Sequence, residues 1–205
     1  MLRVGLTGGI ACGKSLVAGF FAEKGIPVVN DDHAAHDAVE KGSEGLAAVV
    51  QEFGDAILLP DGNLDRPKLG RIVFNDDAKR RRLMAITFPF IGRLLGERFD
   101  AAERSGAPFL VYESALLFEN GGFEAWRPIV VVRVDERQQI ERLCARNALS
   151  LEDAAARIRS QMPLARKVEL ADLVIDNAGT PEETRRQFDA VYAKLLARAS
   201  APPQA

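Results

Sequence analysis

The run Gly8-Gly9-Ile10-Ala11-Cys12-Gly13-Lys14-Ser15 fits the pattern G-x-x-x-x-G-K-[ST], a phosphate-binding loop, and it constrains everything folded around it. Such a loop works only between a buried strand and the first turn of a helix. Residues 2–7 form an apolar run short enough to be that strand. Residues 16–24 carry apolar side chains at helical spacing and stop at Gly25. Gly8 and Gly13 let the backbone turn tightly and leave no side chain between the loop amides and an anion. Those amides and the helix N-terminus would then cradle polyphosphate oxygens. Lys14 would reach the β- and γ-phosphates, and the Ser15 hydroxyl would ligate Mg²⁺.

The remaining strand signals fall at residues 26–30, 108–113, 129–134 and 173–177, with helical patterns between them. Strands alternating with helices predict an α/β fold in which a five-stranded parallel sheet is covered by helices on both faces. The stretch from 32 to 107 breaks the alternation. Its helical segments at 33–40, 45–53, 66–74 and 83–99 are interrupted by the turn-rich Pro60-Asp61-Gly62-Asn63, which reads as a helical insertion binding the acceptor. The core is therefore expected at 1–31 and 108–200. Asp135 is placed to cap a helix over 136–146, Ser150 one running to about 161, and Thr180 the last, with Pro181 in its first turn. The tail 201–205, with Pro202 and Pro203, reads as disordered.

With 205 residues and a net charge of −2, the chain has room for one substantial core and carries no basic field suited to nucleic acid or an anionic membrane. No apolar run is long enough to span a bilayer, and the first strand begins without a signal peptide. Its two cysteines, Cys12 and Cys144, have no metal spacing, and a free thiol inside the loop points to a reducing compartment. A cytoplasmic protein is expected, and a monomer.

Ligands of parallel sheets gather at the carboxyl ends of the strands. Those ends carry the loop, Asp31-Asp32, Glu113 and Asp176-Asn177. Phosphoryl transfer needs a carboxylate that orients or deprotonates the attacking hydroxyl, and gains from another near Mg²⁺. Asp32 suits the first role and Glu113 the second; capping of the following helix is the alternative for Asp31 and Asp32. Arg142 and Arg146 share a helix face at i, i+4 beside the turn 147–149, as a lid closing over the phosphates requires. The segment from about 142 to 166 is that lid. His33 and His36 lack a third ligand at metal spacing. Lys79–Arg82 reads as a solvated helix face, and Trp126 as packing.

In order along the chain, these residues resemble the dephospho-CoA kinase family, a group of P-loop kinases. Leu6-Thr7-Gly8-Gly9-Ile10 with Gly13-Lys14-Ser15 is similar to its L-T-G-G-I-x-x-G-K-S, and Asn30 to His36 to its D-x-D-x-x-A-R. Asp61 to Arg66, Ile72-Val73-Phe74 and Ile86 to Pro89 resemble its acceptor-domain pattern, and Leu116-Leu117-Phe118-Glu119 its L-L-F-E. Gln139 to Arg146 and Ala171 to Asn177 resemble its lid and final strand. The similarity runs to about residue 190.

The resemblance implies transfer of the γ-phosphoryl of MgATP to the ribose 3′-hydroxyl of dephospho-CoA, the last step of coenzyme A synthesis. It implies Asp32, Lys14, Arg142 and Arg146 as catalytic residues, with Ser15 and Glu113 at the metal. ATP would meet residues 8–16, Gly8 to Leu16, and Asn177; the acceptor would meet Asp32, His36, Arg66, Phe88, Pro89 and Leu117. Asn30 stands where the family often has aspartate, Leu16 for a threonine, Phe88 for a histidine, His36 for an arginine, and Glu113-Ser114-Ala115 for D-x-P. Phe88 and His36 leave room for another acceptor, such as a nucleoside monophosphate. A regulatory NTPase is the other alternative, although no N-K-x-D motif occurs.

Overall fold

A computed structural model describes residues 1–74 and 76–201. The chain divides into two compact units, Met1–Val29 with Ala102–Ala205, and Asn30–Ala101.

In the first unit, β1 (Leu2–Gly8) runs into the phosphate loop and α1 (Lys14–Glu23). Then β2 (Val28–Asn30) ends the first chain segment. The sheet has the order β2-β3-β1-β4-β5, with β3 (Phe109–Glu113), β4 (Ile129–Arg133) and β5 (Leu173–Asp176). β1 pairs in parallel with β3 and β4, and β4 with β5. Successive residues of β4 serve opposite faces: Val130 and Val132 pack with α1 residues Val17 and Phe21, whereas Ile129 and Val131 pack with Leu117 and Phe118. A strand buried on both faces explains the unbroken Ile-Val-Val-Val run. Gly5 of β1 is required by packing, because a Cβ there would lie 2.7 Å from the Leu117 side chain.

The helix that closes the unit (Pro181–Ser200) packs on α1. Phe188 meets Phe21 edge-on with ring centroids 4.8 Å apart, and Phe20 at 5.3 Å. Each such buried ring stabilises the fold by about 1.5–3 kcal/mol. Thr180 and Glu183 form a reciprocal capping box at its start. Among the described residues, no helix is long and apolar enough to cross a membrane.

The second unit is helical. It comprises α2 (Asp31–Asp37), α3 (Glu44–Phe53), α4 (Arg66–Phe74) and α5 (Asp77–Arg104), the last running on into the first unit's sequence. Val39, Leu46, Val49, Ile57 and Leu69 form its own buried cluster. Asn30 caps α2, its side-chain oxygen accepting from the His33 N–H at 2.8 Å, so the amide does the capping work that an aspartate would do. α5 is longer than the 83–99 expected. Asp76 caps it upstream by accepting from the Ala78 and Lys79 amides, and the helix continues through Pro89. Arg80 and Arg82 of the basic run are ion-paired to Asp77 and Glu52.

Between β4 and β5 lie α6 (Glu136–Asn147), α7 (Leu151–Arg159) and α8 (Leu164–Leu170), which makes the closing helix α9. Asp135 and Ser150 cap α6 and α7 as their sequence positions predict. The helix α8 was not expected. It spans seven residues, too few to show a period, and its buried Lys167 interrupts the apolar pattern. Of the tail expected to be disordered, residues 202–205 lie outside the described residues.

Candidate active site

The loop between β1 and α1 is built as an anion nest. Ala11 has φ 61° and Gly13 φ 88°, left-handed conformations on either side of Cys12 that turn successive amides to one side. Gly13 is obligatory on a second count, since a Cβ there would lie 2.1 Å from the Asn177 amide nitrogen. At Gly8 a Cβ would strike the Val132 carbonyl oxygen at 2.3 Å. A cavity of about 290 Å³ opens on this loop and is lined by Ala11, Gly13, Lys14, Ser15, Arg142 and Arg146. The structure therefore brings the expected loop lysine, the serine and both lid arginines to one cavity. Leu16 points away from the core and is exposed.

The loop is held from outside by side-chain amides. Gln139 of α6 donates to the Ile10 carbonyl at 2.8 Å, and Gln161, just past α7, accepts from the Ile10 N–H at 2.8 Å. Asn177, after β5, donates to the Cys12 carbonyl at 2.9 Å while its oxygen accepts from the buried Thr184 hydroxyl at 2.8 Å. Both ends of the Asn177 amide are thus taken by the protein. The residue, expected at ATP, thereby ties the end of β5 to the loop. Arg142 donates to the Asn177 carbonyl at 2.9 Å, which ties the lid helix to the same post. Gln139 and Thr184 are polar positions on otherwise amphipathic helices, and only their near-complete burial marks them.

Cys12 is fully buried, and burial pushes its thiol above the ordinary value against the pull of backbone hydrogen bonds, Lys14 and Arg142. A neutral thiol adds no negative charge beside an anion site. Glu113 ends β3 opposite Leu6 of β1 and is 5 % exposed.

Leu117, expected at the acceptor, is buried in a cluster with Phe118, Ile129 and Val131. In the helical unit, Asp32 is exposed in the first turn of α2. His36, also exposed, has its carbonyl accepting from Arg66 at 3.0 Å. Phe88 is 55 % exposed and precedes Pro89 on α5, a large apolar surface left to solvent. Asp37 pairs with Arg98, and that hydrogen bond holds its carboxyl below the usual aspartate range.

The dephospho-CoA kinase family model matches residues 2–183, through the loop, the helical unit and the lid. The chain belongs to the dephospho-CoA kinase family. A dephospho-CoA kinase of Arabidopsis thaliana is 46 % identical over 95 % of this chain and 84 % of its own length. That of Geobacter sulfurreducens is 44 % identical over 93 % of this chain and 97 % of its own. The crystal structure of TT1252 from Thermus thermophilus superposes with a TM-score of 0.79 at 34 % identity, covering 95 % of this chain and 97 % of that one. A dephospho-CoA kinase from Campylobacter jejuni gives 0.70 at 27 % identity with the same coverage. The fold is thus the P-loop kinase fold of this family.

Proposed function

We propose that the chain transfers the γ-phosphoryl group of ATP to the ribose 3′-hydroxyl of dephospho-CoA, giving CoA and ADP, the last step of coenzyme A synthesis. The observation that carries this reading is the family match over residues 2–183, which includes the helical unit as well as the loop. The helical unit carries the acceptor site, with His36, Arg66, Phe88 and Pro89 as its contacts. ATP and dephospho-CoA are the partners of a cytoplasmic monomer.

Phosphoryl transfer leaves the protein little covalent work, so positioning and charge stabilisation account for catalysis. The loop amides and Lys14 hold the β- and γ-phosphate oxygens. Arg142 and Arg146 share the cavity with Lys14, and their guanidinium groups stabilise negative charge spreading over the transferring phosphoryl. Closing over it, they exclude water and limit wasteful hydrolysis. Asp32 stands two residues beyond the carboxyl end of β2, exposed, where a carboxylate orients the 3′-hydroxyl and accepts its proton.

Mg²⁺ accompanies ATP in this chemistry and, when bound, neutralises phosphate charge. The donors present fit it. The Ser15 hydroxyl lies in the first turn of α1 and the Glu113 carboxylate ends the neighbouring strand; both are hard oxygen groups. Among the described residues, no group of three or more His, Cys, Asp or Glu side chains could cage a metal, so phosphate oxygens and water would complete the shell. Ser15 would be a direct ligand and Glu113 would act through water.

Coupled ADP release tests the function, with MgATP alone and with dephospho-CoA, AMP or adenosine added. Strong stimulation by dephospho-CoA alone is the expected result. Stimulation by another acceptor would keep the chemistry and change the substrate, and no stimulation by any would refute the kinase reading.

A further inference from the structure

The phosphate loop contains a conformation that its own sequence does not favour. Ala11 sits at φ 61°, a left-handed backbone that costs a non-glycine residue on the order of 1 kcal/mol or more and persists only where its surroundings over-determine it. The structure shows what does so. A trans peptide is planar, with its C=O and N–H pointing in opposite directions, so fixing one fixes the other. Gln139 holds the Ile10 carbonyl at 2.8 Å, which turns the N–H of Ala11 the opposite way. Gln161 holds the Ile10 N–H at 2.8 Å, which turns the Gly9 carbonyl the opposite way, where it accepts from the Cys12 N–H at 3.2 Å. The peptides on both sides of Ile10 are therefore pinned by separate glutamine amides. The fit is close: a Cβ on Gly9 would lie 2.4 Å from the Gln139 amide nitrogen.

The segment bearing Gln161 is itself anchored. The next residue, Met162, donates its N–H to Glu119 at 2.9 Å. The fully buried Lys167 reaches the same carboxylate at 2.8 Å and the Ala115 carbonyl at 2.8 Å. Glu119 and Ala115 belong to the connection after β3, so the segment that follows Gln161 is tied to the core, while the Gln161 N–H is held by the Ile158 carbonyl of α7 at 3.1 Å.

We propose that Gln139 and Gln161 are positioning residues, a pair of amides that keeps Ala11 in its left-handed conformation and its N–H turned toward the phosphates of ATP. Neither touches nucleotide. The inference rests on the reading of this loop as the ATP site. Its consequence is specific to one substrate: loss of either amide lets the loop relax and weakens ATP, while the acceptor is bound as before.

The test is steady-state kinetics on the full chain carrying Gln139→Leu, Gln161→Leu or Gln161→Glu, each with and without Ala11→Gly, with thermal melting alongside. Gln139→Leu is expected to raise KM for ATP about tenfold, the scale of one buried hydrogen bond. KM for dephospho-CoA should be unchanged and kcat should fall less than KM rises. Gln161→Glu keeps the acceptor atom and should retain more ATP affinity than Gln161→Leu, which covers the case in which the buried Gln139→Leu does not fold. Ala11→Gly removes the penalty for the left-handed backbone and should restore most of the lost ATP affinity. Equal shifts in both KM values, or double variants no better than the single ones, would overturn the proposal. Lys14→Ala separates the two readings. If it leaves ATP binding and turnover intact, the loop is not the ATP site; if it abolishes them while the glutamine variants bind ATP normally, only the present inference fails.

Discussion

The phosphate loop and the helix that begins at Asp31 both supply residues to the proposed reaction, yet they are built on opposite plans. In the loop, Ile10 is held at both its N–H and its carbonyl, Cys12 at its carbonyl, and Gly13 leaves no room for a methyl group. In the helical unit Asp32, His36, Arg66 and Phe88 all stand exposed. A phosphate chain is the same in every nucleotide, and a rigid nest of amides suits it. An acceptor is recognised through its own shape, and in the proposed reaction exposed side chains would be free to fit it. The loop is rigid because it is hydrogen-bonded from several sides, and the proposed acceptor residues are not.

That contrast can be broken at several points. The largest effect is expected from Lys14→Ala, which removes a cation at the transferring phosphoryl and should lower kcat on the order of 10²–10³-fold without altering the melting temperature. A stopped-time assay of ADP formation measures it, and a loss of less than fivefold would detach Lys14 from the chemistry. Gly13→Ala comes next. Its methyl group would collide with Asn177 at 2.1 Å and impose a left-handed φ, so ATP binding by calorimetry should become undetectable in a protein that still folds. By contrast, Phe88→Ala on the open side should change KM for dephospho-CoA several-fold and leave KM for ATP alone. Shifts in both would mean that the two sites are not separately built.

Phe188→Ala probes the scaffold behind the loop. It deletes a fully buried ring packed on Phe21 and Phe20, and chemical denaturation should show a loss of about 3–5 kcal/mol. The smallest effect concerns pH. Arg98 lowers the Asp37 pKa, so the pair's contribution is full above the ordinary aspartate value of 3.8 and is lost as pH falls through the lower folded-state value. Both side chains are partly exposed, at 32 % and 39 %, which limits the gain to about 1 kcal/mol or less. Arg98→Met should therefore reduce stability slightly at neutral pH and remove the difference from wild type in strong acid.

The sheet and the loop were legible because they rest on local signals. Apolar runs of five or so residues, the glycine spacing and the caps at Asp135, Ser150 and Thr180 each declare themselves within a few positions, and the strands fall within two residues of where the runs predict. What could not be read is long-range. Gln139 and Gln161 grip the loop from 129 and 151 positions away in sequence, through amides that look like ordinary surface polar groups. Lys167 looks like a solvated charge and is instead fully buried against Glu119. Leu117 sits inside a motif shared with the family, and only its burial reveals that it packs the core. Asn177 is legible as a strand-end residue, whereas its hydrogen bond to the loop carbonyl of Cys12 is not.

The most direct test of the division of labour is single-turnover transfer of label from γ-³²P-ATP, in wild type and in Asp32→Asn, with dephospho-CoA present. Wild type is expected to place the label on the ribose 3′-oxygen of CoA. Asp32→Asn should bind ATP with unchanged affinity but transfer label about 10²–10⁴ times more slowly. Equal transfer by the variant, or label appearing only as inorganic phosphate in wild type, would contradict it.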